Sequence, residues 1–189
     1  MLSIFEELDN YDTSGDPSQS AIKDIIRDHV EVSGVSVFDV RSSGHVTASA
    51  FCYNLSTGKF LMQRHRALDL WLPFGGHAEL GEAPCQTASR EFTEEAGVSE
   101  FRLLSNRGRP ILLDLDVHSI PAKGKLNSHF HLDFRYLVLI DAQNPRIAAC
   151  DGEVKECVWM ESNSMLTLIK PNLKRYLLGC LKRTRLLQQ

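Results

Sequence analysis

Three glutamates, Glu91, Glu94 and Glu95, fall inside the stretch GGHAELGEAPCQTASREFTEEAGV, residues 75–98. At i, i+3 and i+4 on a helix their carboxylates are neighbours on one face and repel. Glu94 and Glu95 also meet the negative end of the helix dipole, just before Gly97. Arg90 can pair with Glu94, but one guanidinium does not neutralise three carboxylates. A solvated acidic face would tolerate the arrangement, because exposed charges are screened. Two features favour a site. The acids border the apolar arc of Cys85, Ala88, Phe92 and Ala96 instead of opposing it. A glycine-rich turn, FGGHAELGE, leads into the helix and allows close backbone approach. A local rule broken without visible compensation marks a functional position. The missing partner would be a hard divalent cation bound by carboxylate oxygens, Mg²⁺ above all.

A second group of chemistry-bearing residues alternates along two apolar stretches. Asp114, Asp116 and His118 interleave with Leu113, Leu115 and Val117, and His129, His131 and Asp133 with Phe130, Leu132 and Phe134. A symmetric antiparallel hairpin would set 118 opposite 129, 116 opposite 131 and 114 opposite 133, putting these residues on one face. A wet outer face is one reading of that alternation. A substrate site or a second metal is the other, since histidine is so often a ligand or an acid–base group. His77 joins this site or caps its loop. Lys123 and Lys125, in the connecting loop, could attract phosphates and close over a ligand.

Other elements must position these groups. GDPSQSAIKDIIRDHV predicts a helix with Asp16 as cap, Pro17 in its first turn and Gln19 completing a capping box. Its apolar face is Ile22, Ile25, Ile26 and His29 or Val30, and a short helix precedes it. Residues 44–54 and 58–66 predict strands around the turn LSTG, followed by the helix 82–96. The stretches RPILLDLDVHSI, HFHLDFRYLVLI and VKECVWM are further strands. From Pro171 an amphipathic helix should bury Leu173, Leu177, Leu178 and Leu181. Strands interrupted by one central helix and closed by another predict a mixed α/β layered domain, residues 34–189, behind an N-terminal helical extension, residues 1–33.

At 189 residues, 43% hydrophobic and 24% charged, the chain can bury a full core without staples. A net charge of −3 does not recommend a nucleic-acid partner. The first ten residues contain Glu6, Glu7 and Asp9 and no apolar run, unlike a signal peptide or spanning helix, so no membrane partner is expected. Cys52, Cys85, Cys150, Cys157 and Cys180 never form a CxxC pair and read as reduced thiols of a cytoplasmic protein. A homodimer is left open.

Gly76, Glu82 and REFTEEAGV together resemble the Nudix box, GX5EX7REUXEEXGU with U bulky and apolar. Every fixed position matches: Gly76, Glu82, Arg90, Glu91, Phe92, Glu94, Glu95, Gly97 and Val98. Some bacterial members of unassigned substrate are similar in having a GGH loop and an HxHxD strand. One departure is that proline, usual directly before the paired glycines, stands one place earlier at Pro73, with Phe74 in its position.

The resemblance implies a Nudix-type α/β/α sandwich with a mixed sheet. It implies Mg²⁺-dependent hydrolysis, with Mn²⁺ as a substitute, of a diphosphate linking a nucleoside to another moiety, as in NDP-sugars, CDP-alcohols or nucleoside triphosphates. In the family pattern Glu91 and Glu95 are ligands, Glu94 is a ligand or base, and the Gly75 carbonyl supplies another oxygen. Arg90 orients a glutamate, and Glu82 holds the loop to the helix. A further acid comes from a late loop; of Asp151, Glu153 and Glu156, Glu153 is favoured by the adjacent glycine. Arg64 is a candidate phosphate contact, and His118, His129, His131 and Asp133 are candidate substrate residues. An isopentenyl-diphosphate isomerase is an alternative, weakened by Phe74 and Gly75 where that enzyme needs a cysteine. A nucleotide-sensing module without catalysis is another, weakened by the intact acidic set.

Overall fold

The computed structural model describes residues 3–148 and 152–187; Cys150 and Asp151 lie outside them. Among the described residues five α-helices run α1 Ile4–Asn10, α2 Pro17–Ser33, α3 Pro84–Ala96, α4 Ser162–Leu168 and α5 Pro171–Leu187, with a 3₁₀ turn at Gly34–Phe38. The strands are β1 Gly44–Asn54, β2 Phe60–His65, β3 Trp71–Leu72, β4 Phe74–His77, β5 Arg102–Leu103, β6 Ser105–Asn106, β7 Arg109–Pro110, β8 Asp114–Ile120, β9 His129–Ile140 and β10 Val154–Met160.

One mixed sheet runs in the order β10-β2-β1-β9-β5, with β3 on β2, β4 on β1 and β8 on β9. At its centre β1 and β9 are parallel, from Gly44 opposite Phe130 to Asn54 opposite Ile140. Strand parity divides the core in two. Val46, Ala48, Ala50, Leu132, Phe134 and Tyr136 pack against α1, α2 and α3. Phe51, Tyr53, Leu137 and Leu139 pack against α4 and α5. This is the expected α/β/α layering. Ile4, Leu8, Ile26 and Val30 of the N-terminal helices share the first core.

Several local expectations are corrected. Asp16 caps α2 through the N–H groups of Ser18 and Gln19 at 3.0 and 3.2 Å. The Gln19 side chain, however, closes no capping box; it is buried and exchanges two hydrogen bonds with the backbone of Leu115, at 3.0 and 2.9 Å. It treats β8 as a neighbouring strand would. Ile25 is 53% exposed, so the inward face of α2 is narrower than its isoleucine spacing suggests. Leu178 is likewise exposed, and Tyr176 and Cys180 take the inward places on α5. The predicted strand 109–120 is two pieces, because Arg109 and Pro110 pair with β6 in a separate ribbon.

The β8–β9 hairpin keeps the predicted face but not the predicted register. His118 faces His131, Asp116 faces Asp133 and Asp114 faces Arg135. Ile120, the last residue of the predicted strand, pairs with His129 where His118 was expected to, and this moves every partner by two residues. A two-residue slip preserves the side of every side chain.

Candidate functional site

Helix α3 starts at Pro84, whose missing N–H is no loss at the first position. It stops at Gly97, where φ is +65° and the backbone turns left-handed. Cys85, Ala88, Phe92 and Ala96 are buried as predicted. Phe92 meets Phe74 and Phe101 edge-on, with centroids 5.1 and 4.9 Å apart. This packing fixes α3 against β4, the strand carrying the paired glycines.

Glu91 lies against Gly76: a Cβ there would come within 2.5 Å of its Cδ. Glu95, only 4% exposed, accepts hydrogen bonds from the Gly75 N–H at 2.7 Å and the Gln63 amide at 2.8 Å. Glu94 is exposed and held by Arg90 at 3.1 Å. Arg90 is the hub. It donates to both oxygens of Glu82 at 3.0 Å, to Glu91 at 2.8 Å and to the His77 carbonyl at 2.8 Å. Glu82 also accepts from the Glu79 N–H at 3.0 Å and the Thr87 hydroxyl at 2.9 Å, so one carboxylate ties the loop to the helix.

Charge remains in excess. Burial raises the Glu91 pKa, and Glu94 and Glu82 add to this against the pull of Arg90. Burial alone would raise Glu82 as well, but bonds from Arg90, Glu79 and Thr87 hold it below the usual carboxylate range. A half-buried carboxylate pushed toward protonation, beside a glycine cradle and a second buried carboxylate, fits a hard divalent cation well. The oxygen donors of Glu91, Glu94, Glu95 and the Gly75 carbonyl are of the right chemistry for Mg²⁺.

The other candidates are dispersed. Glu153 is exposed at the foot of β10, with an oxygen 3.6 Å from His65 Nε2. Arg64 is already paired with Asp69 at 2.9 Å and Glu156 at 3.3 Å, and lies over the Trp71 ring. Lys123 and Lys125 are exposed in the loop 121–128.

The His/Asp patch lies on the α5 side of the sheet, opposite α3, and it is not a wet face. Asp133, 6% exposed, accepts from Thr47 at 3.2 Å, Ser49 at 3.0 Å and Arg135 at 2.8 Å. Arg135, 1% exposed, also binds Asp114 at 3.0 Å and Asp116 at 2.6 Å, and Arg175 binds Asp114 from α5 at 2.7 Å. The aspartates are thus counter-ions of a buried arginine. His118 donates from Nδ1 to Asp116, 3.1 Å away, and His129 donates from Nδ1 to the Asn127 carbonyl at 2.8 Å.

Two residues of this face were missed in the sequence, Arg135 and His45. Arg135 continues the alternation of His131 and Asp133, and acids recur at the same period on the facing stretch. That complementarity was readable. His45 offered no local signal, since parallel pairing with β9 brings it opposite His131.

Comparison with known proteins agrees with this architecture. Residues 44–178 match the model of the NUDIX domain, and the chain belongs to that family. It is similar to a Lactococcus lactis subsp. cremoris protein described as a probable DHNTP pyrophosphohydrolase, 36% identical over 91 residues. That match covers 47% of this chain and 51% of the relative, so the chain spans about half the length of the curated relative it matches. A NUDIX-family hydrolase of Clostridium perfringens is similar in structure, with a TM-score of 0.52 and 26% identity over 76% of this chain and 97% of that one. A Caenorhabditis elegans Ap4A hydrolase in a binary complex has a TM-score of 0.55 at 19% identity, covering 72% and 95%. Among the described residues no helix is long and apolar enough to cross a membrane.

Proposed function

We propose that the protein hydrolyses a diphosphate linkage in a nucleoside diphosphate bonded to another moiety, with Mg²⁺ as cofactor and Mn²⁺ as a substitute. The observation that carries this reading is the seat of Glu91 on Gly76, braced by the Arg90–Glu82 pair, with Glu95 against the Gly75 N–H. Glu91, Glu95 and the Gly75 carbonyl hold the ion, and Glu94 is a further ligand or the base. When bound, Mg²⁺ neutralises charge on the diphosphate and acidifies the attacking water. Arg90 keeps Glu91 turned toward β4. Glu153, at the end of a loop, is the second candidate base. Arg64 is a candidate phosphate contact, and His77, His118, His129, His131 and Asp133, on the α5 face of the sheet, act through the strands they order.

NDP-sugars, CDP-alcohols and nucleoside triphosphates are the substrate classes to test. The name of the Lactococcus relative adds DHNTP to them. Within residues 1–33, α1 and α2 act as a helical brace on the catalytic domain assigned to 34–189. The free thiols of Cys52, Cys85, Cys157 and Cys180 support a cytoplasmic setting.

The test is a screen of these compounds with Mg²⁺ and Mn²⁺ in ¹⁸O-water. Label should enter one phosphorus product, and turnover should stop in excess chelator. Unlabelled products, or full turnover with chelator present, would overturn the reading.

A further inference from the structure

Five of the chain's seven histidines, His45, His77, His118, His129 and His131, gather on the α5 side of the sheet. They come from four strands. β1 lies between β4 and β9, so Thr47 has His77 on one side and Asp133 on the other, while His45 sits directly beside His131. The His45 ring centroid is 4.9 Å from that of His77, 4.9 Å from His129 and 4.8 Å from His131. His77 and His131 are 5.1 Å apart. A donor nitrogen of each of His45, His77 and His131 lies within 4.8 Å of the other two.

His45 carries the argument. It is 1% exposed, and neither Nδ1 nor Nε2 has a hydrogen-bond partner. A buried polar group in that state costs roughly 1–3 kcal/mol and calls for an explanation. Aromatic packing does not supply one, because an apolar ring would fill the space without the penalty.

The setting of the rings narrows the ligand. His45 is buried at the centre of His77, His129 and His131, and neither of its ring nitrogens meets a carboxylate that would hold a proton on it. Burial and crowding of this kind favour neutral imidazoles, with lone pairs available. They offer no positive charge to a phosphate or carboxylate. Neutral imidazole nitrogens are donors for borderline divalent transition metals and poor ones for Mg²⁺, which prefers oxygen. The flanking rings suit the same task. His118 and His129 are held through Nδ1 by Asp116 and the Asn127 carbonyl, the kind of outer bond that orients a ligating or neighbouring imidazole.

We propose that His45, His77 and His131 form a binding site for a divalent transition-metal ion, Zn²⁺, separate from the carboxylate site on α3. Tetrahedral zinc with bonds of about 2.0–2.1 Å sets its donors about 3.4 Å apart, so the three nitrogens, now within 4.8 Å of one another, must draw together to seat the ion. The site joins β1, β4 and β9 on one face. β4 presents Gly76 to Glu91 on its other face, and the His77 carbonyl accepts from Arg90. The zinc therefore pins the strand on which the glutamates rest.

Cobalt is the probe, because Co²⁺ replaces Zn²⁺ and is visible. With Mg²⁺ in large excess to occupy the carboxylates, Co²⁺ is titrated into wild type, Glu95→Gln, His45→Gln and His131→Gln, and Zn²⁺ is then added. The expected result is one Co²⁺ per chain in wild type and in Glu95→Gln, displaced by Zn²⁺, and binding weaker by about tenfold or more in each histidine variant. No cobalt binding under Mg²⁺, unchanged binding in the histidine variants, or loss of binding in Glu95→Gln would each overturn the proposal. Should a histidine variant fail to fold, the ring ¹⁵N signals of wild type decide. Zn²⁺ must move those of His45, His77 and His131 and leave His29 and His65 in place; any other pattern overturns the site. Neither readout uses turnover, so failure here and failure of the hydrolase reading are told apart.

Discussion

Gly76 and Glu91 are packed so that the hydrogen of the glycine Cα, and nothing larger, fits beside the glutamate carboxylate. Gly97, at the other end of the same box, is needed for a different reason. Its φ is +65°, and a Cβ would also come within 2.8 Å of the Ala148 carbonyl carbon. The two glycines should separate function from stability. Gly76→Ala displaces only the end of a flexible side chain, so stability should change by less than about 1 kcal/mol while turnover falls about a hundredfold. Gly97→Ala should lower stability by at least about 1 kcal/mol. Denaturant melts beside initial rates check both. Equal losses of stability in the two variants would refute the distinction.

Glu95→Gln keeps an oxygen to accept from the Gly75 N–H and the Gln63 amide, and removes the charge. Its melting temperature in metal-free buffer should stay near that of wild type, and kcat should fall about a hundredfold or more. Mg²⁺ should raise the melting temperature of wild type and much less that of the variant, because a ligand bound only by the folded state stabilises it. A variant that turns over normally would remove Glu95 from the catalytic set.

Arg135→Met leaves Asp116 and Asp133 buried without their guanidinium and Asp114 with Arg175 alone. Removing one partner of a buried ion group costs about 3–5 kcal/mol, so the variant should be strongly destabilised at neutral pH. The pH dependence has a definite sign. In the variant Asp114 and Asp116 lose the Arg135 charge that favours their ionised forms, so its deficit should shrink as pH falls into the carboxylate range. Equilibrium unfolding from pH 7 to pH 4 reads this directly, and a deficit that stays constant or grows on acidification would contradict it.

Asp116 makes the complementary case in wild type. Burial alone would raise its pKa, but the His118 bond and the Arg135 charge carry it down to about 2. A folded pKa below the unfolded 3.8 contributes stability above that value, and the contribution is lost as pH falls through about 2. Asp116→Asn should therefore be less stable than wild type above pH 4 and approach it near pH 2. The pH profile of the difference between the two unfolding free energies is the measurement.

The acidic helix was legible because everything that defines it is local. Its apolar spacing, Pro84 and Gly97 lie within one short stretch, and the charge conflict of Glu91, Glu94 and Glu95 pointed to a missing cation. The faces of the hairpin were legible as well, since side-chain alternation survives any even slip of register. Its pairing was not, because alternation fixes the side on which each residue lies but not which residue of the partner strand stands opposite it. His45 was hidden for a stronger reason. Its neighbours His77 and His131 are brought to it by strands whose pairing is non-local, and the central parallel pair leaves no turn signal between its members. Gln19 misled because the residue type suits a cap, while its side chain found a strand backbone instead.

Glu7 has a consequence for the order of assembly. Its carboxylate accepts from the Cys85 N–H at the start of α3, 3.1 Å away, and its other oxygen accepts from the Tyr136 hydroxyl in mid-strand β9. A segment made early by the ribosome thus has partners that are made 78 and 129 residues later. Until β9 has left the exit tunnel, α1 has α2 to pack on, but Glu7 lacks its Tyr136 partner. Such distant pairings delay closure and favour slow folding. α1, made before both partners of Glu7, is then fixed only after them, and the first turn of α3 gains its buried acceptor when Glu7 docks.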